Sequence, residues 1–148
     1  MNLSYLGYRR MLFIYGVIIV AVATALTVGV IEPVKAEAAL GATPERAVTA
    51  FWVNIAMSLF SALALVFIAI RSKDRGWIST LAHLVVGCVV LFLGIALADA
   101  ASAYRSHGPS MQQASTLLFI CAVADVLTGV SIVATAFLRP KKGGMDRV

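Results

Sequence analysis

Residues 77–104 read WISTLAHLVVGCVVLFLGIALADAASAY, and Asp99 is the one acidic or basic side chain among them apart from His83. A helix needs roughly 20 predominantly apolar residues to cross a hydrocarbon core about 30 Å thick, and this stretch exceeds that length. Polar runs close it on both sides, Arg71-Ser72-Lys73-Asp74-Arg75-Gly76 before and Ser106-His107-Gly108-Pro109 after. Working outward, three more runs of the same kind appear. Met11 to Ile31 is uncharged and is expected to end at Glu32-Pro33, because proline lacks the N–H that would continue the helix. Ala50 to Ile70 follows it, and Ser115 to Leu138 ends at Arg139-Pro140-Lys141-Lys142. The expected fold is all-α, a four-transmembrane-helix bundle with helices over about 11–31, 50–70, 77–104 and 115–138, in a single transmembrane domain spanning 1–148.

Composition excludes the soluble alternative. The chain of 148 residues is 61% hydrophobic and 13% charged, with a mean hydropathy of +0.94, whereas soluble domains are nearer half apolar and a quarter charged. Four runs that are apolar all round cannot be buried inside so small a chain, so lipid must cover them. The net charge of +5 sits in short basic clusters between the runs, where topology and anionic headgroups account for it. Nucleic-acid binding is not expected, since the basic stripe and interleaved aromatics of such proteins are missing.

Orientation follows from the same clusters. Arg9 and Arg10 precede the first run, Arg71, Lys73 and Arg75 lie in the second connection, and Arg139, Lys141, Lys142 and Arg147 follow the last run. The first connection carries Lys35 and Arg46, and the third Arg105. Nine basic residues against three place both termini and the 71–76 turn on the cytoplasmic side, or its equivalent in an organelle. Integral, multi-pass insertion in the plasma membrane is the favoured localisation, with an organelle membrane as the alternative. Arg9, Arg10, Arg71, Lys73, Arg75, Arg139, Lys141 and Lys142 are the expected headgroup contacts. Tyr5, Tyr8 and Trp77 at one interface, and Trp52 and Tyr104 at the other, form the expected aromatic belt. Arg9-Arg10, an apolar run and Ala36-Glu37-Ala38 together imitate a cleavable signal peptide, but the run of about 21 residues exceeds the 7–15 of a signal core, so a retained helix is expected.

Asp99 and Asp125 are the acidic residues inside the apolar runs, and each costs on the order of 2.5–3.5 kcal/mol if charged at mid-membrane. Both fall in the outer half of helices joined by a short turn, with Asn54 near the outer end of the second helix as a neutral partner. Two readings are open. They form a protonatable pair along a pathway, or they are hydrogen-bonding glue between helices, with Asn54, Ser102, Thr128 or a carbonyl as partner, or with Asp99 simply reaching the outer interface near Arg105. Glue is favoured, since one hydrogen-bonded carboxyl satisfies the physics without transport. His83 lies about 9 Å inside the inner end of the third helix, and His107 is in the outer connection, so the two cannot share a haem. An aromatic or hydroxyl neighbour is the expected partner of His83. Cys88 and Cys121 lie apart in apolar runs and read as buried small hydrophobes.

No catalytic or cofactor constellation is present: no G-x-S-x-G elbow, no phosphate loop, no H-E-x-x-H and no metal-ligand spacing. The R-A-H-x-N-x-x-E run of the membrane-bound glutathione transferases is not reproduced either, since Asn54 follows Arg46 by eight residues and position 57 is Met57. An enzyme is not expected, and no cofactor or metal is implied. Small residues are more abundant. Ala21, Ala25 and Gly29, then Ser58 and Ala62, then Gly94, Ala98 and Ser102 repeat at i, i+4 and are the expected faces of close helix approach.

Together, the four short-looped helices, the Tyr8-Arg9-Arg10 start of the first, the polar outer connection and the Asp-bearing third helix resemble the MARVEL superfamily, which includes fungal MARVEL-domain proteins and plant Casparian-strip membrane proteins. The stretch Leu91-Phe92-Leu93-Gly94-Ile95-Ala96-Leu97-Ala98-Asp99 is similar to the third helix of the plant branch. Ala124-Asp125-Val126-Leu127 through Phe137-Leu138-Arg139 is similar to the last fungal helix and its basic exit, and Arg10 would correspond to the plant branch's helix-one arginine. The resemblance implies organisation of membrane domains, apposition of vesicle membranes, or scaffolding by self-association. The expected function is a non-catalytic membrane organiser acting by lateral helix association, with membrane lipids and further copies or other membrane proteins as partners. The alternatives are an accessory subunit of a larger membrane complex and a proton-coupled transporter or channel using Asp99 and Asp125.

Overall fold

A computed structural model describes residues 5–71 and 77–137. Among them there is no strand, and five helices account for nearly all of these residues: α1 (Tyr5–Gly29), α2 (Ile31–Ala39), α3 (Glu45–Arg71), α4 (Trp77–Tyr104) and α5 (Pro109–Phe137). Four spans are long and apolar enough to cross a membrane, with α1 and α2 together making the first. Helix is the form that apolar runs of this length must take in lipid, because every backbone N–H and C=O has to be satisfied within the segment. At 1.5 Å per residue, α4 extends about 42 Å and so reaches beyond the hydrocarbon core on at least one side.

Helix ends depart from the sequence expectation at the polar residues flanking the apolar runs. The first helix begins by Tyr5 rather than Met11, the second span at Glu45 rather than Ala50, and the last at Pro109 rather than Ser115. Polar side chains at a membrane surface do not oppose helix, and Pro109 at a first helical position has φ pre-set for it. Pro33 is the clearest correction. It does not end the helix; a break at Val30 comes first, and Pro33 falls in the first turn of α2, where its missing N–H would have little to bond. The amides of Val30 and Val34 still donate to Leu26 and Val30 at 3.1 Å each, so the ladder passes through the break. The true stop is Gly41, at φ +71°. Its amide donates to Ala38 O at 3.0 Å and that of Ala42 to Glu37 O at 3.1 Å, the paired bonds of a Schellman cap.

The four long elements form a closed ring. α1 packs on α3 and α5, α4 packs on the same two, and the backbones of α1 and α4, like those of α3 and α5, face each other across the diagonal. The α4–α5 pair is the most extensive, and glycines make it so. A Cβ on Gly94 would lie 2.9 Å from the amide N of Val126, one on Gly129 would lie 2.7 Å from that of Leu91, and one on Gly87 would lie 3.1 Å from that of Val133. Backbone meets backbone at all three.

These contacts repeat every seven residues, not every four. Gly87, Gly94 and Ala101 on α4 face Ser115, Ala122, Gly129 and Ala136 on α5, and all seven are buried. A four-residue step drifts about 40° around a helix of 3.6 residues per turn, while a seven-residue step drifts only about 20°. The i, i+4 faces drawn from sequence therefore hold only in part. Ser58 and Ala62 are buried, Gly94 meets α5, and Gly29 abuts the side chain of Leu117. Ala25 and Ala98 are half-buried, whereas Ala21 and Ser102 are exposed. On α1 the inward small residues are Gly16 and Ala23 instead.

Two of the aromatics assigned to the interfacial belt also turn inward. Tyr8 and Tyr104 are buried, while Trp52 and Trp77 are exposed. Cys121 is buried, but Cys88 is exposed on the outer surface of α4.

Candidate functional site

The core consists of two apolar clusters. The first joins Val22 and Leu26 of α1, Val30 at the break, Phe51 and Ile55 of α3, Leu97 and Ala101 of α4, and Leu118 and Ala122 of α5. The second joins Leu12 and Ile19, Ala62 and Leu65, Val86 and Val90, and Ile132. Between them, on α3 and α5, the buried residues are polar: Asn54, Ser58, Ser61, Asp125 and Thr128. On α5 this follows from spacing, since Leu118, Asp125 and Ile132 occupy one seven-residue stripe and all are almost fully buried. An acid has taken a core position.

Asn54 donates from Nδ2 to the carbonyl of Leu93 at 3.5 Å, while its Oδ1, the Ser58 hydroxyl and both carboxyl oxygens of Asp125 are buried without a hydrogen-bond partner. Asp125 is 1% exposed, Ser58 1% and Asn54 6%. The neighbouring Gly94 abuts Ala122 and Val126 of α5, so Asn54 and Asp125 stand at the same depth on diagonally opposed helices.

Asp99 does not join them. It is exposed on α4 while Asp125 is buried, so the two carboxyls do not form the protonatable pair, the less favoured of the two readings the sequence left open. Four residues apart would have brought Asp99 near the face of Ile95, and Ile95 is also exposed. The hydroxyl expected to serve it, Ser102, points outward as well. At five residues from Tyr104, Asp99 lies about 8 Å from the end of α4.

His83 is engaged at the opposite end of the bundle. Its Nδ1 bonds the carbonyl of Ser79 at 2.9 Å, which makes it the protonated nitrogen, and its Nε2 accepts from the Tyr8 hydroxyl at 2.6 Å. Tyr8 was read from sequence as a headgroup aromatic, and only the depth match between the starts of α1 and α4 could have suggested this bond. Arg10 and Arg71 are exposed near the same end, with Arg71 5.7 Å over the ring of Phe67. Lys73, Arg75, Arg139, Lys141 and Lys142 lie outside the described residues.

At the other end, α2 and the α4–α5 connection form a small polar cap. His107 Nδ1 lies 3.9 Å from Glu37 Oε2 and packs edge-on against the ring of Tyr104, which in turn lies against Phe51. Lys35 pairs with Glu32 on the exposed side of α2 at 2.9 Å. No group of three His, Cys, Asp or Glu side chains gathers where it could hold a metal ion among the described residues.

The fold and interior define a multi-pass helical bundle of membrane-spanning dimensions. Comparison with protein-family models, characterised proteins and solved structures gives no match for the chain.

Proposed function

We propose that the protein is a non-catalytic organiser of the membrane, acting by lateral association of its bundle with further copies of itself. The observation that carries this reading is the outward carboxyl of Asp99. It stands exposed on α4 among the apolar side chains Phe92, Ile95 and Ala96, and a carboxyl on a lipid-facing surface is costly unless a polar group of another helix meets it. The similarity to the MARVEL superfamily suits the same reading. Both termini and the 71–76 turn face the cytoplasm in this arrangement, with Arg9, Arg10, Arg71, Lys73, Arg75, Arg139, Lys141 and Lys142 at anionic headgroups, each contributing about 1 kcal/mol near the surface.

Cross-linking in native membranes, followed by the mass of the detergent-solubilised particle, tests the proposal. Defined homo-oligomers are expected, weakened by Asp99→Leu. A protein that stays monomeric and mixes freely would contradict it. The same carboxyl would also suit docking onto a larger membrane complex as an accessory subunit, and comigration with one large assembly at fixed stoichiometry would distinguish that case.

A further inference from the structure

The polar layer has an unusual chemical bias. Its four unpartnered atoms, Asn54 Oδ1, Ser58 Oγ and Asp125 Oδ1 and Oδ2, are all oxygens. Buried polar atoms in native proteins nearly always find a partner, from protein, water or an ion, and leaving several unpaired within one helical turn is expensive. Among the described residues the buried polar side chains include no Lys or Arg, and the one histidine, His83, is in the other apolar half, bonded to Tyr8 and Ser79.

We infer that Asn54, Ser58 and Asp125 form an intramembrane binding site for a monovalent alkali cation, of which sodium is the representative. Three observations converge on it. Asn54 and Asp125 share a depth, fixed by the Asn54 bond to Leu93 and the contact of the adjacent Gly94 with Ala122 and Val126. Ser58 stands one turn further along the face of Asn54, since residues four apart are neighbours on a helix. The helices that carry them, α3 and α5, stand across the ring from each other without backbone contact, and all three side chains are buried within the bundle.

Charge then selects the ion. Amide, hydroxyl and carboxylate oxygens replace the hydration shell of a hard cation, and one carboxylate neutralises one positive charge. A divalent ion would leave a net charge in low dielectric, where it is heavily penalised. Nitrogen and sulfur donors that would favour a transition metal are missing from the unpartnered set. The site lies in the interior and is independent of the outward Asp99, so it stands whether or not the bundles associate.

A ligand that binds only the folded state stabilises it in proportion to the logarithm of its concentration above Kd. Thermal unfolding of the full chain is therefore measured in detergent and in liposomes across a sodium chloride series, with choline chloride holding ionic strength constant. A rise of several degrees in the unfolding midpoint that saturates with sodium is expected, lost in Asp125→Asn, moved to higher sodium in Ser58→Ala and retained in Ser102→Ala. Equal midpoints of the wild-type protein in sodium and choline would overturn the inference, and need no variant to fold. A sodium effect that persists undiminished in Asp125→Asn would overturn it too, because it would then arise at the surface.

Discussion

The Tyr8 hydroxyl donates to Nε2 of His83 across 2.6 Å, joining two helices, α1 and α4, whose backbones face each other only across the diagonal of the ring. Replacing Tyr8 with Phe keeps the ring contact, at 5.6 Å between centroids, and removes this donor. A loss of about 1–3 kcal/mol is expected, read as a lower midpoint in thermal or denaturant unfolding. An unchanged midpoint would mean that the bond contributes nothing to holding the diagonal.

The α4–α5 seam is more demanding. Gly94→Leu or Gly129→Val must push Val126 or Leu91 backbone aside, and overpacking of this kind typically costs about 1–3 kcal/mol. Ala21→Leu and Ser102→Ala, at exposed positions, are expected to be neutral. Equal behaviour of the two sets in the same unfolding assay would contradict the seven-residue seam.

That contrast also marks what the sequence made legible. Four uncharged runs such as Ala50–Ile70 announce four spans, because length and apolarity are the requirements for crossing lipid. Which small residues meet is a matter of phase. Ala21, Ala25 and Gly29 satisfy the local i, i+4 pattern, yet Gly16 and Ala23 face inward, since the direction of a helix face is set by its neighbours. Gly87, Gly94 and Ala101 carry a readable signal in their seven-residue spacing. Asp99 and Asp125 look alike in sequence, and only azimuth separates them, one outward and one in the core. Tyr8 and Tyr104 fit an interfacial belt by depth, but their rings were claimed by His83 and by Phe51 with His107.

Sidedness can be read directly. Cysteines introduced at Ala42 and Ser106, both exposed in connections at the same end of the bundle, are expected to react with a membrane-impermeant maleimide from outside intact cells. Tags on the two termini should be reached only after permeabilisation. Labelling of a terminal tag in intact cells, with protection of position 42, would reverse the proposed orientation.

Pro33 gives a test of the break in the first span. Pro33→Ala supplies an N–H in the first turn of α2, adding a donor to the ladder that already passes through Val30. Amide exchange at residues 33 to 36 is expected to slow, with little change in global stability. Faster exchange there would mean that the proline itself holds α2 in place.

The most direct test of lateral organisation is the subunit count of single particles in native membrane, obtained by stepwise photobleaching of a fluorescently tagged full-length chain. Discrete particles of more than one subunit are expected for the wild-type protein, shifting towards single subunits in Asp99→Leu. A wild-type distribution of single subunits, or one that Asp99→Leu leaves unchanged, would contradict association through the outward carboxyl of α4.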